Sequence, residues 1–291
     1  MTPKAPPQTI TLRDSEGKRL GARLLIPDTT PIGSGTRANV YKVLLRTDSP
    51  NSGMESQDEY MAMKVYKGAK PEMHAENTMH GHGVLSMSLP ESEKSRLTNV
   101  YTDEKGRVFM PLLNTDSWVV SMGGNDSQDR EELKKEKLHS IPNFNAILVQ
   151  LLDAVEDMGR ESIPMGADLY LLTVHRQTHA LDYAYTDMEA VHADLRESPE
   201  QIVLRNFYWV AGAFNHFLHE CVQEPTLYLA RVRLEVISRM NAYSDIANVR
   251  GMRKEVEVFD WPALDWKQAA QSYASWFAVD SLRFIKNTFN S

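Results

Sequence analysis

The stretch of this chain that most constrains its fold runs from Pro31 to Tyr66. It reads Ile32-Gly33-Ser34-Gly35-Thr36-Arg37-Ala38-Asn39-Val40-Tyr41-Lys42-Val43, then a polar insert, then Tyr60-Met61-Ala62-Met63-Lys64-Val65-Tyr66. Closely spaced glycines let backbone amides approach a phosphate with no Cβ in the way. In a dinucleotide-binding fold or a P-loop the glycine turn opens a helix, whose N-terminus receives the phosphate. Here the turn leads into Val40, Val43 and Leu45, which favour a strand, and no Gly-Lys-Ser/Thr follows. The turn therefore joins two strands. Tyr60 to Tyr66 forms a third, with Ala62 and Lys64 on one face.

The flanking segments divide into strands first and helices later. Residues 1–8 are proline-rich and read as a mobile start. Residues 9–13 and 19–26 alternate as a strand pair around a Ser-Glu-Gly-Lys turn, and Asp28 to Pro31 interrupt the pattern. Pro71 to Leu85 begins as a helix, with Met73, Glu76, Met79 and His80 at helical spacing, and Gly81 and Gly83 are expected to break it. His74, His80 and His82 then read as helix-end and loop residues rather than as a metal set. Residues 97–102 and 107–113 form a hairpin, and 118–129 a linker. A charged helix over 131–139 and an apolar one over 145–158 follow, the latter burying Ile147, Leu148, Leu151, Leu152 and Val155. Residues 169–174 and 180–186 are two strands around a polar turn, and Asp187 ends the second. From Gln201 the chain reads as helical over 201–220, 226–242 and 262–289, with a charged connector at 249–260. Ser198 and Pro199 suit the N-cap and first position of the helix that follows them.

Composition narrows the class. The 291 residues suit one two-lobed domain or two small ones, and no internal repeat is present. A net charge of −7 gives no general attraction to nucleic acid or to an anionic membrane. The single cysteine, Cys221, excludes an intramolecular disulfide and reads as a buried thiol. No apolar run of about 18 residues and no Sec-type leader is present, so the expected location is the cytoplasm. A protein exported without a Sec signal would look the same.

The glycine turn between strands, the Ala62-Met63-Lys64 strand and the later strand pair ending at Asp187 together resemble the protein kinase-like superfamily. The resemblance is specific from Ile32 to Lys64, extends to Leu113, and is topological from Asn145 to Met188. It implies an α+β, two-lobed fold: a small antiparallel sheet with one helix over 9–116, completed as five strands by the 97–113 hairpin, and a mainly helical lobe over 117–291. It also implies ATP and Mg²⁺ as ligands. Ile32, Gly33, Ser34, Gly35 and Val40 would cover the nucleotide, with Ala38 in place of the third glycine. Ala62, Met110 and Leu112 would line the adenine pocket and its hinge, and Lys64 would hold the α- and β-phosphates. Glu76, or failing it Glu72, would orient Lys64 from the helix. Asp187, in Asp-Met-Glu rather than Asp-Phe-Gly, would hold the metal.

The catalytic loop departs most from the family. No His-Arg-Asp is present, and His192-Ala193-Asp194-Leu195 comes too late in the chain to replace it. In one register Asp168 is the base and Thr173 stands where the family has a metal-binding asparagine. In the other Asp168 takes the asparagine position as a second metal ligand, leaving no base. The resemblance thus implies either a divergent kinase acting on a protein, or a pseudokinase that works through a protein partner.

Overall fold

The computed structural model describes residues 6–34, 37–47, 58–113, 116–121, 127–165, 169–191, 197–246 and 249–258. The fold is mixed, strands first and helices later. Its contacts divide the chain into two compact units. One comprises Met1–Met87, Ser95–Thr115 and Tyr185–Val191; the other comprises Ser88–Lys94, Asp116–Ala184 and His192–Ser291.

The first unit is a six-stranded closed barrel rather than the expected five-stranded sheet. Its strands are β1 (Gln8–Arg13), β2 (Arg19–Ser34), β3 (Ala38–Thr47), β4 (Asp58–Tyr66), β5 (Tyr101–Thr102) and β6 (Val108–Pro111), hydrogen-bonded in the order β1-β2-β3-β4-β6-β5. Closure comes from β1, which pairs with β2 along its length and meets β5 at Arg13 and Thr102. β2 is longer than expected because its backbone stays extended through Asp28 to Pro31. Register shifts between Pro27 and Pro31, and between Pro31 and Gly33, mark bulges there. A bulge tolerates a residue that donates no hydrogen bond, which is where proline can sit in a sheet.

Alternation along these strands separates two faces. Ile10, Leu12, Leu25, Val43, Leu45, Met61, Met63 and Phe109 fill the core of the barrel. The opposite face carries Gly33, Val40 and Lys64, which pair in register across β2, β3 and β4. Ala62 and Met110, paired across β4 and β6, lie on that same face.

Helix α1 (Pro71–Ser88) follows β4 and runs unbroken through Gly81 and Gly83, against the sequence expectation. The reason for Gly81 is tertiary. A Cβ on Gly81 would overlap the backbone carbonyl of Met188, so the glycine admits a chain segment from far away in sequence. Among the described residues, none comes within 4 Å of where a Cβ on Gly83 would stand.

The second unit contains α2 (Glu91–Lys94), β7 (Ser117–Ser121), α3 (Gln128–Glu136), α4 (Phe144–Arg160), β8 (Tyr170–His175), β9 (Leu181–Tyr185), α5 (Pro199–Cys221), α6 (Thr226–Met240) and α7 (Val249–Val258), the last residue of β9 belonging to the first unit. β7 lies where a linker was expected. It forms a three-stranded sheet with β8 and β9, pairing antiparallel with β8 from Ser117–His175 to Ser121–Leu171. Within the expected connector at 249–260, Val249–Val258 is helical as α7, and 259–260 and 262–289 lie outside the described residues.

α5 is the central helix of this unit. Ser198 caps it in a capping box with Gln201, with Pro199 in the first turn. Most of its length is buried. It packs closely on α4, where a Cβ on Gly159 would overlap the backbone of Val203. Cys221 is buried at its end, and burial pushes the thiol up to about 11.

Candidate functional site

The site is built within the first unit, on the face of the barrel that carries Lys64. The side chain of Lys64 emerges between the pairing partners Val40 and Val108 and lies over the ring of Tyr66, 5.0 Å from its centroid. Tyr66 is buried, stacks on His74 of α1 at 5.0 Å, and shares a hydrogen bond with Thr78 at 2.8 Å. The strand thereby sets the direction of Lys64, and α1 holds the ring beneath it.

The segment after β9 supplies the carboxylates. Lys64 Nζ donates to Asp187 Oδ1 at 2.9 Å and lies 4.0 Å from Glu189 Oε2. Glu189 is also engaged elsewhere. Its Oε1 lies 2.6 Å from His74 Nδ1 and accepts from Arg37 Nη1 at 3.3 Å. The two acids differ in environment: the Asp187 side chain is 38% exposed and that of Glu189 is 8% exposed. Burial alone would push the Lys64 ammonium down. The charges of Asp187 and Glu189 and the Asp187 hydrogen bond outweigh it and hold the group above the ordinary lysine range.

The glycine turn is tied at its flanks. Ser34 Oγ donates to Asn39 Oδ1 at 2.8 Å and accepts from Lys67 Nζ at 3.3 Å, while the Lys67 amide donates to the Arg37 carbonyl at 2.7 Å. Among the described residues a Cβ on Gly33 would meet only Val40, in ordinary contact. Packing among those residues therefore does not demand a glycine there. Ile32 is exposed beside it. Gly35 lies outside the described residues.

The structure thus brings Lys64, Asp187, Val40, Gly33, Ala62 and Met110 to one face or one contact set. Met110 is buried in β6, and Leu112, just beyond that strand, is half-buried. It does not bring Glu76 to Lys64. Glu76 is exposed on α1 and, with Glu72, lines a separate cavity of about 380 Å³ shared with Arg13, Asp14, Asp103 and Glu104. The reason is rotational: the face of α1 directed at Lys64 presents His74 and Thr78. Neither glutamate, Glu76 or its reserve Glu72, is the carboxylate found at Lys64.

Asp168 lies outside the described residues, but the chain leading to it is held firmly in the second unit. Asn206, fully buried on α5, accepts from the Met165 amide at 2.7 Å. It also donates to the carbonyls of Val155 at 2.9 Å and Ile163 at 3.1 Å. One side chain thus ties α4, α5 and the start of the loop together.

Sequence reasoning missed Glu189, His74, Arg37, Tyr66 and Asn206. The one local signal was the second acid of Asp-Met-Glu. Among the described residues no three of His, Cys, Asp and Glu cluster to hold a metal unaided. A cation at Asp187 would need phosphate oxygens to complete its shell, which is how Mg²⁺ commonly sits in nucleotide sites.

No protein-family model matches this chain, and no curated protein matches it. Among solved structures, it is similar to the Rio2 kinase–ADP/Mg²⁺–phosphoaspartate complex from Chaetomium thermophilum. That similarity has a TM-score of 0.45 and 10% identity, covering 91% of this chain and 71% of that one. No helix among the described residues is long and apolar enough to cross a membrane.

Proposed function

We propose that this chain is a divergent kinase-like phosphotransferase that binds ATP with Mg²⁺ and transfers the γ-phosphoryl group to a protein acceptor in the cytoplasm. The observation that carries the reading is the ion pair of Lys64 with Asp187 at 2.9 Å, on the barrel face that also presents Gly33, Val40, Ala62 and Met110. A cation for phosphate, a half-exposed carboxylate for a hard metal, and a small or apolar surface beside them are what a metal-bound nucleotide requires.

In this reading Lys64 would bind the α- and β-phosphates, and Asp187 would hold the metal. Bound Mg²⁺ supplies charge neutralisation on the phosphates. The acceptor hydroxyl oxygen bonds to the γ-phosphorus as the bond to the ADP oxygen breaks, and the hydroxyl proton passes to Asp168. The protein's contribution is mainly positioning and electrostatics. A second reading, a pseudokinase that binds nucleotide or a partner protein without transfer, is favoured by the missing His-Arg-Asp, the missing asparagine and Asp-Met-Glu in place of Asp-Phe-Gly.

The test is incubation of the wild type, Lys64→Ala and Asp187→Ala with Mg²⁺ and γ-labelled ATP, with a thermal-shift titration beside it. Label transfer by the wild type that is lost in both variants is the expected result. Stabilisation by nucleotide without turnover supports the second reading. The absence of any shift with nucleotide or metal would sink both nucleotide-site readings.

A further inference from the structure

We infer that Glu189, and no glutamate of α1, is the positioning residue that sets Lys64 for phosphate, an inference that rests on the nucleotide-site reading above. Two carboxylates reach Lys64, and their surroundings assign them different tasks. Asp187 is half-exposed, and Lys64 is the cationic side chain paired with it, so it is free to turn toward a metal. The Glu189 side chain is only 8% exposed and faces three basic groups from three elements: Arg37 beside the glycine turn, Lys64 of β4 and His74 of α1.

A buried carboxylate held from several sides is a poor candidate to swing toward an incoming cation, because its charge would lose those partners together. It is well suited to remain in place. Were Asp187 to hold a metal, Glu189 would still offer Lys64 a negative neighbour and keep the ammonium's direction. The backbone between the acids is fixed as well: Met188 is fully buried, and its carbonyl rests where Gly81 lacks a Cβ. That packing orients the Glu189 side chain from a point independent of its ion pairs. The exposed Glu76 has no such arrangement.

The experiment compares Glu189→Gln with Glu76→Gln in the full chain. Affinities for Mg²⁺-ATP, Mg²⁺-ADP and adenosine are measured by calorimetry, and folding is checked by urea unfolding. If Glu189 positions Lys64, Glu189→Gln weakens ATP and ADP by about tenfold or more and leaves adenosine within about twofold, because only phosphate meets Lys64. Glu76→Gln leaves all three unchanged. A purely structural role for Glu189 would weaken all three in proportion, and that result overturns the inference, as does unchanged ATP affinity. A phosphate-selective loss in Glu76→Gln also overturns it. Should Glu189→Gln fail to fold, His74→Gln removes one tether of Glu189 and is expected to show the same phosphate-selective loss at smaller size; proportional loss there overturns the inference. A wild type that binds none of the three ligands brings down the nucleotide-site reading itself, and the inference with it. That outcome is distinguishable from one in which the wild type binds and the variant is unaffected.

Discussion

Two glycines in α1 illustrate how contact, rather than residue type, decides an energy. Glycine inside a helix costs roughly 0.5–1 kcal/mol relative to alanine. At Gly83 a Cβ would have none of the described residues within 4 Å, so Gly83→Ala should recover about that amount. At Gly81 the added methyl meets the Met188 carbonyl, and backbone yields less readily than a flexible side chain. Gly81→Ala should therefore destabilise by about 1–3 kcal/mol and, if the proposed nucleotide site holds, weaken Mg²⁺-ATP binding, since it displaces the peptide between Asp187 and Glu189. Urea midpoints of the two variants should move in opposite directions; movement in the same direction would contradict this packing. At Asp168 a single substitution separates the two registers of its loop. If Asp168 is the base, Asp168→Asn loses phosphoryl transfer and keeps Mg²⁺-dependent ATP binding. If it is a second metal ligand, the Mg²⁺ dependence of binding is weakened as well.

At the scale of elements, helix α5 organises the second unit from its ends and its middle. Its N-terminus is satisfied by the Ser198–Gln201 capping box, so Ser198→Ala should cost about 1 kcal/mol. Asn206, in the interior, satisfies one amide and two carbonyls at once. Asn206→Leu leaves those buried backbone groups unpaired, and an unsatisfied buried group costs roughly 1–3 kcal/mol. Asn206→Leu should thus lower stability more than Ser198→Ala does. If Asp168 acts as proposed, phosphoryl transfer should fall further than the stability loss explains, because the segment leading to it loses an anchor; equal unfolding midpoints for the two variants would refute the comparison. Among the strands, β2 shows why Asp28 to Pro31 looked like an interruption: proline forbids a regular ladder, and the bulges accommodate it without ending the strand.

At the scale of the whole molecule, buried ionisable groups set the response to pH. Burial holds the His82 imidazole below its ordinary value, and its Nδ1 has no hydrogen-bond partner among the described residues. The unfolded chain therefore binds the proton more readily than the folded one. Stability contributed by neutral His82 is present above the unfolded value of about 6.5 and is lost as pH falls from there through the lower folded value. The urea midpoint should drop between pH 7.5 and 5.5, and His82→Leu should flatten part of that drop. Lys64 behaves in the opposite sense: its raised value keeps its contribution intact below the ordinary lysine range, to be lost only as pH rises above it. The sequence by itself determined the period-two alternation that puts Ala62 and Lys64 on one face of their strand, the order of strands before helices, and the cap of α5. These depend on neighbours a few residues apart, where side-chain type and chain geometry suffice. Only the tertiary structure decided barrel closure, the continuity of α1 through Gly81, and the choice of Asp187 and Glu189 over Glu76 at Lys64. The partner of Lys64 lies 123 residues away in sequence, and its arrival depends on how α1 is rotated and on the space that Gly81 leaves. No local pattern carries that information.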